Sequence, residues 1–246
     1  MVGLLHPGEM GAAVGAVLRA QGHRVVWASA GRSKETRARA EAAGLEDAGT
    51  PAEVARSEVV LSICPPHAAL ELAGSLGRLE GLYVDANAVS PATARAIDET
   101  VRAAGADYVD GGIVGSPPHD PGTTRLYLSG ERAGEVAELF AGSVLEPRVV
   151  PNASAVKMAY AAWTKGTAAM LLAIRELAVA EGVEDALVAE WELSLPELPD
   201  RHERAVRSAR RKGWRWVGEM EEIVRSFEDA GLPGGFHRAA AEVYRR

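Results

Sequence analysis

Residues 2–15 read VGLLHPGEMGAAVG: an apolar run, a turn at Pro7 and Gly8, a further glycine at Gly11, and then an Ala-rich helical stretch. The order is strand, glycine turn, helix start. A helix N-terminus presents backbone N–H groups that the helix itself leaves unsatisfied, with partial positive charge, and glycines at the turn let a pyrophosphate come close to the main chain. The stretch predicts a nucleotide-binding unit in which His6, Pro7, Gly8, Glu9, Met10 and Gly11 hold the cofactor. In the dinucleotide fingerprint G-x-G-x-x-G, Gly8 and Gly11 fill the second and third glycines, while His6 stands where the first belongs. An ordinary glycine turn has the same local pattern, so the rest of the chain must decide.

Apolar runs recur at 24–28, 59–64, 82–86 and 107–110, separated by Ala-, Arg- and Glu-rich stretches at helical spacing. Parallel strands need helical crossovers, so this alternation predicts an α/β fold, a Rossmann-type doubly wound, mostly parallel sheet. From Asn152 the strand signal ends. Residues 152–182 form one long helical pattern, followed by helices around 183–194, 199–231 with a break near Gly213, and 234–245. The expected organisation is a dinucleotide-binding domain over 1–151 and a small all-α domain over 152–246, for substrate and dimer contacts.

Composition narrows the function class. The chain has 246 residues, 47% of them hydrophobic, enough for a substantial core. A formal charge of −7 argues against a nucleic-acid partner, and the basic stretch RHERAVRSARRK at 201–212 reads as a solvated helix face. Cys64 is the one cysteine, so no intrachain disulfide forms, and no signal segment or membrane-spanning run is read. A cytoplasmic protein, with no membrane partner and no metal site, is expected.

Five motifs in order carry a resemblance: HPGEMG at 6–11, VVLSICPP at 59–66, VDANAVSPATA at 84–94, VDGGIVGSPP at 109–118 and SAVKMAYAAWTKG at 154–166. Over essentially its whole length the chain resembles the 3-hydroxyacid dehydrogenases, a family that includes 3-hydroxyisobutyrate and 6-phosphogluconate dehydrogenases. The segment KGWRWVGEMEEI at 212–223 is similar to a phosphogluconate-dehydrogenase-like branch with a short helical C-terminal domain.

Cofactor choice is argued locally. NAD-specific folds place an acidic residue at the end of the second strand, about 20 residues past the glycines, on the ribose 2′-hydroxyl. Here stand Ala28, Ser29 and Ala30, then Gly31, Arg32 and Ser33. An arginine with two hydroxyls suits a 2′-phosphate, which favours NADP(H) held by Ser29, Arg32 and Ser33. The competing reading makes Arg32 a solvated loop residue. Prolines end the run at 59–64, and the resemblance brings the backbone of Cys64, Pro65 and Pro66 to the nicotinamide side; Cys64 itself reads as a small buried hydrophobe.

For the substrate, the resemblance maps the motif D-x-S-T-x-x-P onto 85–91, with Asn87 and Ala88 in the Ser-Thr positions. Asn87, Ala88, Val89 and Ser90 then face substrate, Asn87 also the cofactor, while Ser90 before Pro91 is in addition a good helix start. The small-residue run at 111–116 corresponds to a second substrate loop, ending here in Gly115 and Ser116. Lys157 matches the catalytic lysine of K-x-x-N-N, with Tyr160 and Ala161 replacing the asparagines. Hydride transfer to a carbonyl needs a proton donor for the developing alkoxide, and Lys157 is read as that group. Lys165 competes for the role, and Tyr160 replaces an asparagine as a hydrogen-bonding group. In place of the relatives' K-D-L-x-L-A stand Gly218 and Glu219, and Trp216 is a further pocket residue. The reading is an NADP(H)-dependent enzyme interconverting a hydroxyl and a carbonyl on a small molecule. It is expected to be a homodimer through a helix bearing Trp163, Met170 and Leu171. Reduction of a C=N bond, as in imine reductases, and dinucleotide binding without turnover are the alternatives.

Overall fold

The opening stretch folds as strand β1 (Val2–Leu4) and helix α1 (Glu9–Ala20), the first unit of a computed structural model that describes residues 1–246. The chain continues through β2 (Val25–Trp27), α2 (Lys34–Ala42), β3 (Glu46–Asp47), α3 (Pro51–Val54) and β4 (Val59–Ser62). Next come α4 (Ala69–Ser75), β5 (Leu82–Asp85), α5 (Pro91–Ala103), β6 (Asp107–Gly115), β7 (Thr124–Ser129), α6 (Ala133–Glu138) and β8 (Leu145–Val149). Four helices complete it: α7 (Ala153–Ala180), α8 (Glu184–Ser194), α9 (Leu198–Asp229) and α10 (Gly235–Arg245). No helix is long and apolar enough to cross a membrane.

The strands form one sheet in the order β3-β2-β1-β4-β5-β6-β7-β8. All pairings are parallel except β6 with β7. From β1 the chain moves outward to β2 and β3, then returns to β4 on the other side of β1. Ligands of open α/β sheets bind beyond the carboxyl ends of the strands at such a reversal. Alternation along each strand builds both faces. Leu4, Leu61, Val84 and Val109 pack with Val14 and Leu18 of α1, while Leu5, Val60, Tyr83 and Tyr108 pack with Ile97 and Val101 of α5. A slip of one residue would exchange the two faces, so the apolar pattern fixes the register.

Three strands lie outside the sequence reading. β3 is two exposed acidic residues, and β8 contains Pro147, which an edge strand tolerates because one side of its ladder has no partner. β7 also changes the reading of its neighbour. Residues 111–115, expected in a substrate loop, are the second half of β6, paired with β7 from Asp110↔Ser129 to Gly115↔Thr124. The expected break near Gly213 is absent, and α9 runs through it. A single interior glycine costs a helix about 1 kcal/mol, and Gly213 is buried on the face of α9 that packs against Tyr244 of α10.

The chain divides into two compact units, Met1–Lys157 and Met158–Arg246. The first turn of α7 belongs with the sheet. Asp110 on β6 accepts hydrogen bonds from the Ser154 backbone N–H (2.8 Å), the Ser154 hydroxyl (2.9 Å) and the Ser129 hydroxyl (3.0 Å), and Ser129 Oγ accepts from the Ala153 N–H (2.9 Å). Two otherwise unsatisfied donors of the helix start are answered there. Burial holds the Asp110 carboxyl above its usual range in spite of these bonds.

A Cβ on Gly112 would stand 2.8 Å from Lys157 Cβ and 3.1 Å from the Ala153 carbonyl. Gly112→Ala therefore has to push this turn away, and urea denaturation should show a loss of about 1–3 kcal/mol. An unchanged midpoint would mean that α7 is free to shift.

Candidate dinucleotide and proton-transfer site

The turn after β1 is shaped by absent side chains. A Cβ on Gly11 would lie 2.1 Å from the His6 carbonyl oxygen, so glycine there lets α1 rest directly on the turn. Gly8 is the N-cap of α1 without a side-chain cap, and the space above its Cα is open. An uncapped helix start behind an open glycine suits an anionic group. Pro7 is buried, Met10 packs against the core, and Glu9 opens the helix exposed to solvent. His6 has no left-handed backbone conformation, so the missing first glycine leaves the turn unstrained.

Facing this turn is the loop after β2. Arg32 donates to His6 Nε2 and to the Leu5 carbonyl oxygen, both at 3.2 Å. Arg37 donates to the Ser29 carbonyl at 2.8 Å and to the Arg32 carbonyl at 3.4 Å, and Arg39 to the Pro7 carbonyl at 3.5 Å. The two hydroxyls are otherwise engaged. Ser33 Oγ caps α2 by accepting from the Thr36 N–H (3.3 Å), and the Ser29 hydroxyl bonds to Asp47, whose carboxyl it holds below the usual range. Positive charge at this loop therefore comes from Arg32 together with Arg37 and Arg39, two residues the sequence reading passed over. Their signal was spacing: positions 32, 37 and 39 bring one loop and the first turns of α2 to the same edge.

At the ends of β4 and β5 a buried polar cluster braces the sheet edge. Asn87, 2% exposed, accepts from the Cys64 N–H (2.5 Å) and donates to Ser62 Oγ (3.0 Å) and to Asp85. In this structure its amide joins the two loops, at the strand ends where the sequence reading placed cofactor and substrate contacts. Pro66 is buried and Pro65 half-buried beside it. Burial pushes the Cys64 thiol up to about 12, with the Asp85 charge adding to it, so the sulfur is inert near neutrality. Ser90 is the side-chain cap of α5, accepting from the Thr93 N–H at 3.2 Å; Val89 is buried and Ala88 half-buried.

Lys157 Nζ donates to the Ile113 carbonyl oxygen at 2.8 Å. Asp110 is level with Asp85 at the end of β5, so Ile113 lies beyond the end of that strand, at the carboxyl edge. Gly115 and Ser116 follow, both exposed. This first unit thus brings together the glycine turn, the arginine loop, the braced β4 and β5 ends and the Lys157 ammonium along one edge of the sheet.

The other named residues belong to the helical unit. Tyr160 is 46% exposed, and Lys165 is paired with Glu219 at 2.5 Å, both side chains mostly buried. Trp216 packs edge-on against Tyr244, ring centroids 5.1 Å apart. Trp163 and Met170 are exposed, whereas Leu171, expected beside them on the helix surface, is 8% exposed and turned into the helical unit's own packing.

Residues 1–134 match the family model described as the NAD binding domain of 6-phosphogluconate dehydrogenase, and residues 178–246 match a domain of unknown function, DUF1932. An uncharacterized 28.5 kDa protein of Methanothermus fervidus is 29% identical over 169 residues, covering 64% of this chain. The match spans 63% of that relative's length, less than two thirds. A solved conserved protein of unknown function, described as structurally similar to 3-hydroxyacid dehydrogenases, is 26% identical over 99% of this chain and 96% of its own, with a TM-score of 0.69. A 3-hydroxyisobutyrate dehydrogenase of Mycobacterium tuberculosis shares the fold at 19% identity, covering 99% of this chain and 92% of its own, with a TM-score of 0.71.

Burial, reinforced by the Arg32 charge, lowers the pKa of His6 from 6.5 to about 4. Between those values the unfolded chain binds a proton there and the folded chain does not, so this residue's contribution to stability is lost as the pH falls from 6.5 toward 4. His6→Gln removes the titration. Thermal melts across that range should fall less steeply for the variant than for the wild type, and parallel curves would contradict the assignment.

Proposed function

The chain belongs to the family defined by the NAD binding domain of 6-phosphogluconate dehydrogenase, and we propose that it is an NADP(H)-dependent oxidoreductase interconverting a hydroxyl and a carbonyl on a small hydroxyacid-like substrate. The observation that carries the proposal is the Lys157 ammonium, 2.8 Å from the Ile113 carbonyl at the carboxyl edge of the sheet that bears the glycine turn. The residues at that turn fit a dinucleotide. The helix start is uncapped, Gly8 leaves open space, and His6 Nδ1 is a buried polar atom without a protein partner. When bound, the nicotinamide supplies or accepts the hydride.

The chain's own residues do the rest. Oxidation of an alcohol to a carbonyl releases a hydride and a proton; in that direction the Lys157 side chain would act as the free amine, taking the hydroxyl proton to become the ammonium, and in reduction the ammonium gives that proton to the alkoxide oxygen and is left as the amine. Asp110 and Ser154 hold the turn from which the lysine projects. Arg32, with Arg37 and Arg39 behind it, supplies the positive charge that suits a 2′-phosphate. Lys165 is the weaker candidate for proton transfer, because its ammonium is paired with Glu219 in the helical unit.

A second copy of the chain is proposed as the partner. Trp163 and Phe236, 63% and 72% exposed, form walls of an apolar groove of about 580 Å³ that Ala159, Ala162, Gly166 and Ala173 also line. An isologous contact needs projections and hollows on one surface, and this face has both.

Lys157→Met keeps the helix and most of the side-chain volume but removes the ammonium. With NADPH consumption followed over a panel of small carbonyl compounds, kcat on the best substrate should fall about 100- to 10,000-fold, with NADPH affinity unchanged. Lys165→Met is the control on the same helix. If turnover survives the first variant and is lost in the second, the role moves to Lys165; consumption with cyclic imines alone moves the reaction to C=N reduction. For the assembly, light scattering at micromolar concentration should give a dimer mass for the wild type and a monomer mass for Trp163→Glu. A wild-type monomer would remove the second copy.

A further inference from the structure

The residue at the first glycine position of the fingerprint has its own part in the geometry. A guanidinium has no hydrogen-bond acceptor, so the 3.2 Å contact between Arg32 and His6 Nε2 requires the lone pair on that nitrogen. The imidazole is therefore neutral with its proton on Nδ1, an atom that is buried and has no protein partner. The same guanidinium donates through its other terminal nitrogen to the Leu5 carbonyl. Two contacts to adjacent residues of the β1 turn hold a side chain that the loop alone would leave mobile. The loop is built for the return: Gly31 takes a left-handed φ of +71°, the Arg32 N–H bonds to the Ser29 carbonyl at 3.1 Å, and Arg37 grips the carbonyls of Ser29 and Arg32. With a glycine at position 6, one of the two anchors of Arg32 would be gone.

We propose that His6 is a positioning residue for Arg32, and that this pair sets the preference of the site for a 2′-phosphorylated adenosine over an unphosphorylated one. The proposal rests on the reading that the glycine turn and the arginine loop hold NADP(H). An arginine has five N–H donors, and anchoring two of its nitrogens to the turn leaves others for a phosphate while fixing the plane in which they lie. Pre-organisation of this kind raises affinity by removing the ordering cost from the binding step. His6 therefore contributes to phosphate recognition through an acceptor atom, with no charge of its own. A simple departure from the fingerprint makes the opposite forecast: restoring the glycine would open the turn and tighten every dinucleotide alike.

The test compares wild type, His6→Gly, His6→Gln, Arg32→Ala and the His6→Gly/Arg32→Ala double variant. Fluorescence titration reads NADPH and NADH, and calorimetry reads adenosine 2′,5′-bisphosphate and 5′-AMP. His6→Gly and Arg32→Ala should each weaken NADPH and the bisphosphate about tenfold, with NADH and AMP within about twofold of wild type. The double variant should be no weaker than Arg32→Ala alone, and His6→Gln, which keeps an acceptor oxygen, should retain most of the preference. The proposal is overturned if His6→Gly keeps the wild-type ratio of NADPH to NADH affinity, tightens both, or weakens both equally. A wild type with no preference for NADPH would instead overturn the underlying cofactor reading, and the positioning role with it.

Discussion

The Asp110 carboxylate, buried at the point where β6 outruns β5, is the contact on which the geometry of the candidate site depends. It answers the Ser154 amide and hydroxyl directly and the Ala153 amide through Ser129. Burying a carboxyl group is costly, and part of the compensation comes from donors that a helix start leaves unsatisfied, all gathered on Oδ2 while Oδ1 is buried without a partner. The result is a helix whose first turn is tied to a strand, with Gly112 allowing the close approach and Lys157 emerging beside the Ile113 carbonyl.

A second constraint acts at the other end of the same edge. The molecule carries a net charge of −7, yet Arg32 and Arg39 donate to the main chain of the glycine turn and Arg37 to that of the facing loop. Their hydrogen bonds go to carbonyl oxygens and, for Arg32, to the His6 imidazole; Arg37 also faces the Asp47 carboxyl and Arg39 that of Glu35, while Arg32 is held by neutral groups. A phosphate arriving there meets in Arg32 a cation held by dipoles, which compete less strongly for it than a carboxylate would.

How far the sequence reveals this differs by element. The central strands were readable because they are buried on both faces and therefore apolar without interruption. β7 escaped notice since its residues alternate and its partner strand is glycine-rich; β8 was hidden by its proline and charges, and β3 by having two acidic residues. The long helix from Ala153 was legible from its alanines, but its dependence on Asp110 was not, because that contact joins residues 44 apart. At the site, the glycine turn and Lys157 stood out as motifs. The commitment of the Asn87 amide to neighbouring loops, and the pairing of Lys165 with Glu219, depend on what other segments bring to them. Gly213 misled for a related reason: local propensity suggested a break that packing against α10 overrides.

The two rims of the sheet have one further consequence. β3 offers only two residues to a passing strand, both acidic and exposed, while on β8 Pro147 lacks an amide hydrogen and is flanked by the Glu146–Arg148 ion pair at 3.0 Å. Neither rim is a template for intermolecular ladder formation, the usual route by which open sheets grow into aggregates. The backbone of this eight-stranded open sheet thus offers no extended rim on which a second sheet could add.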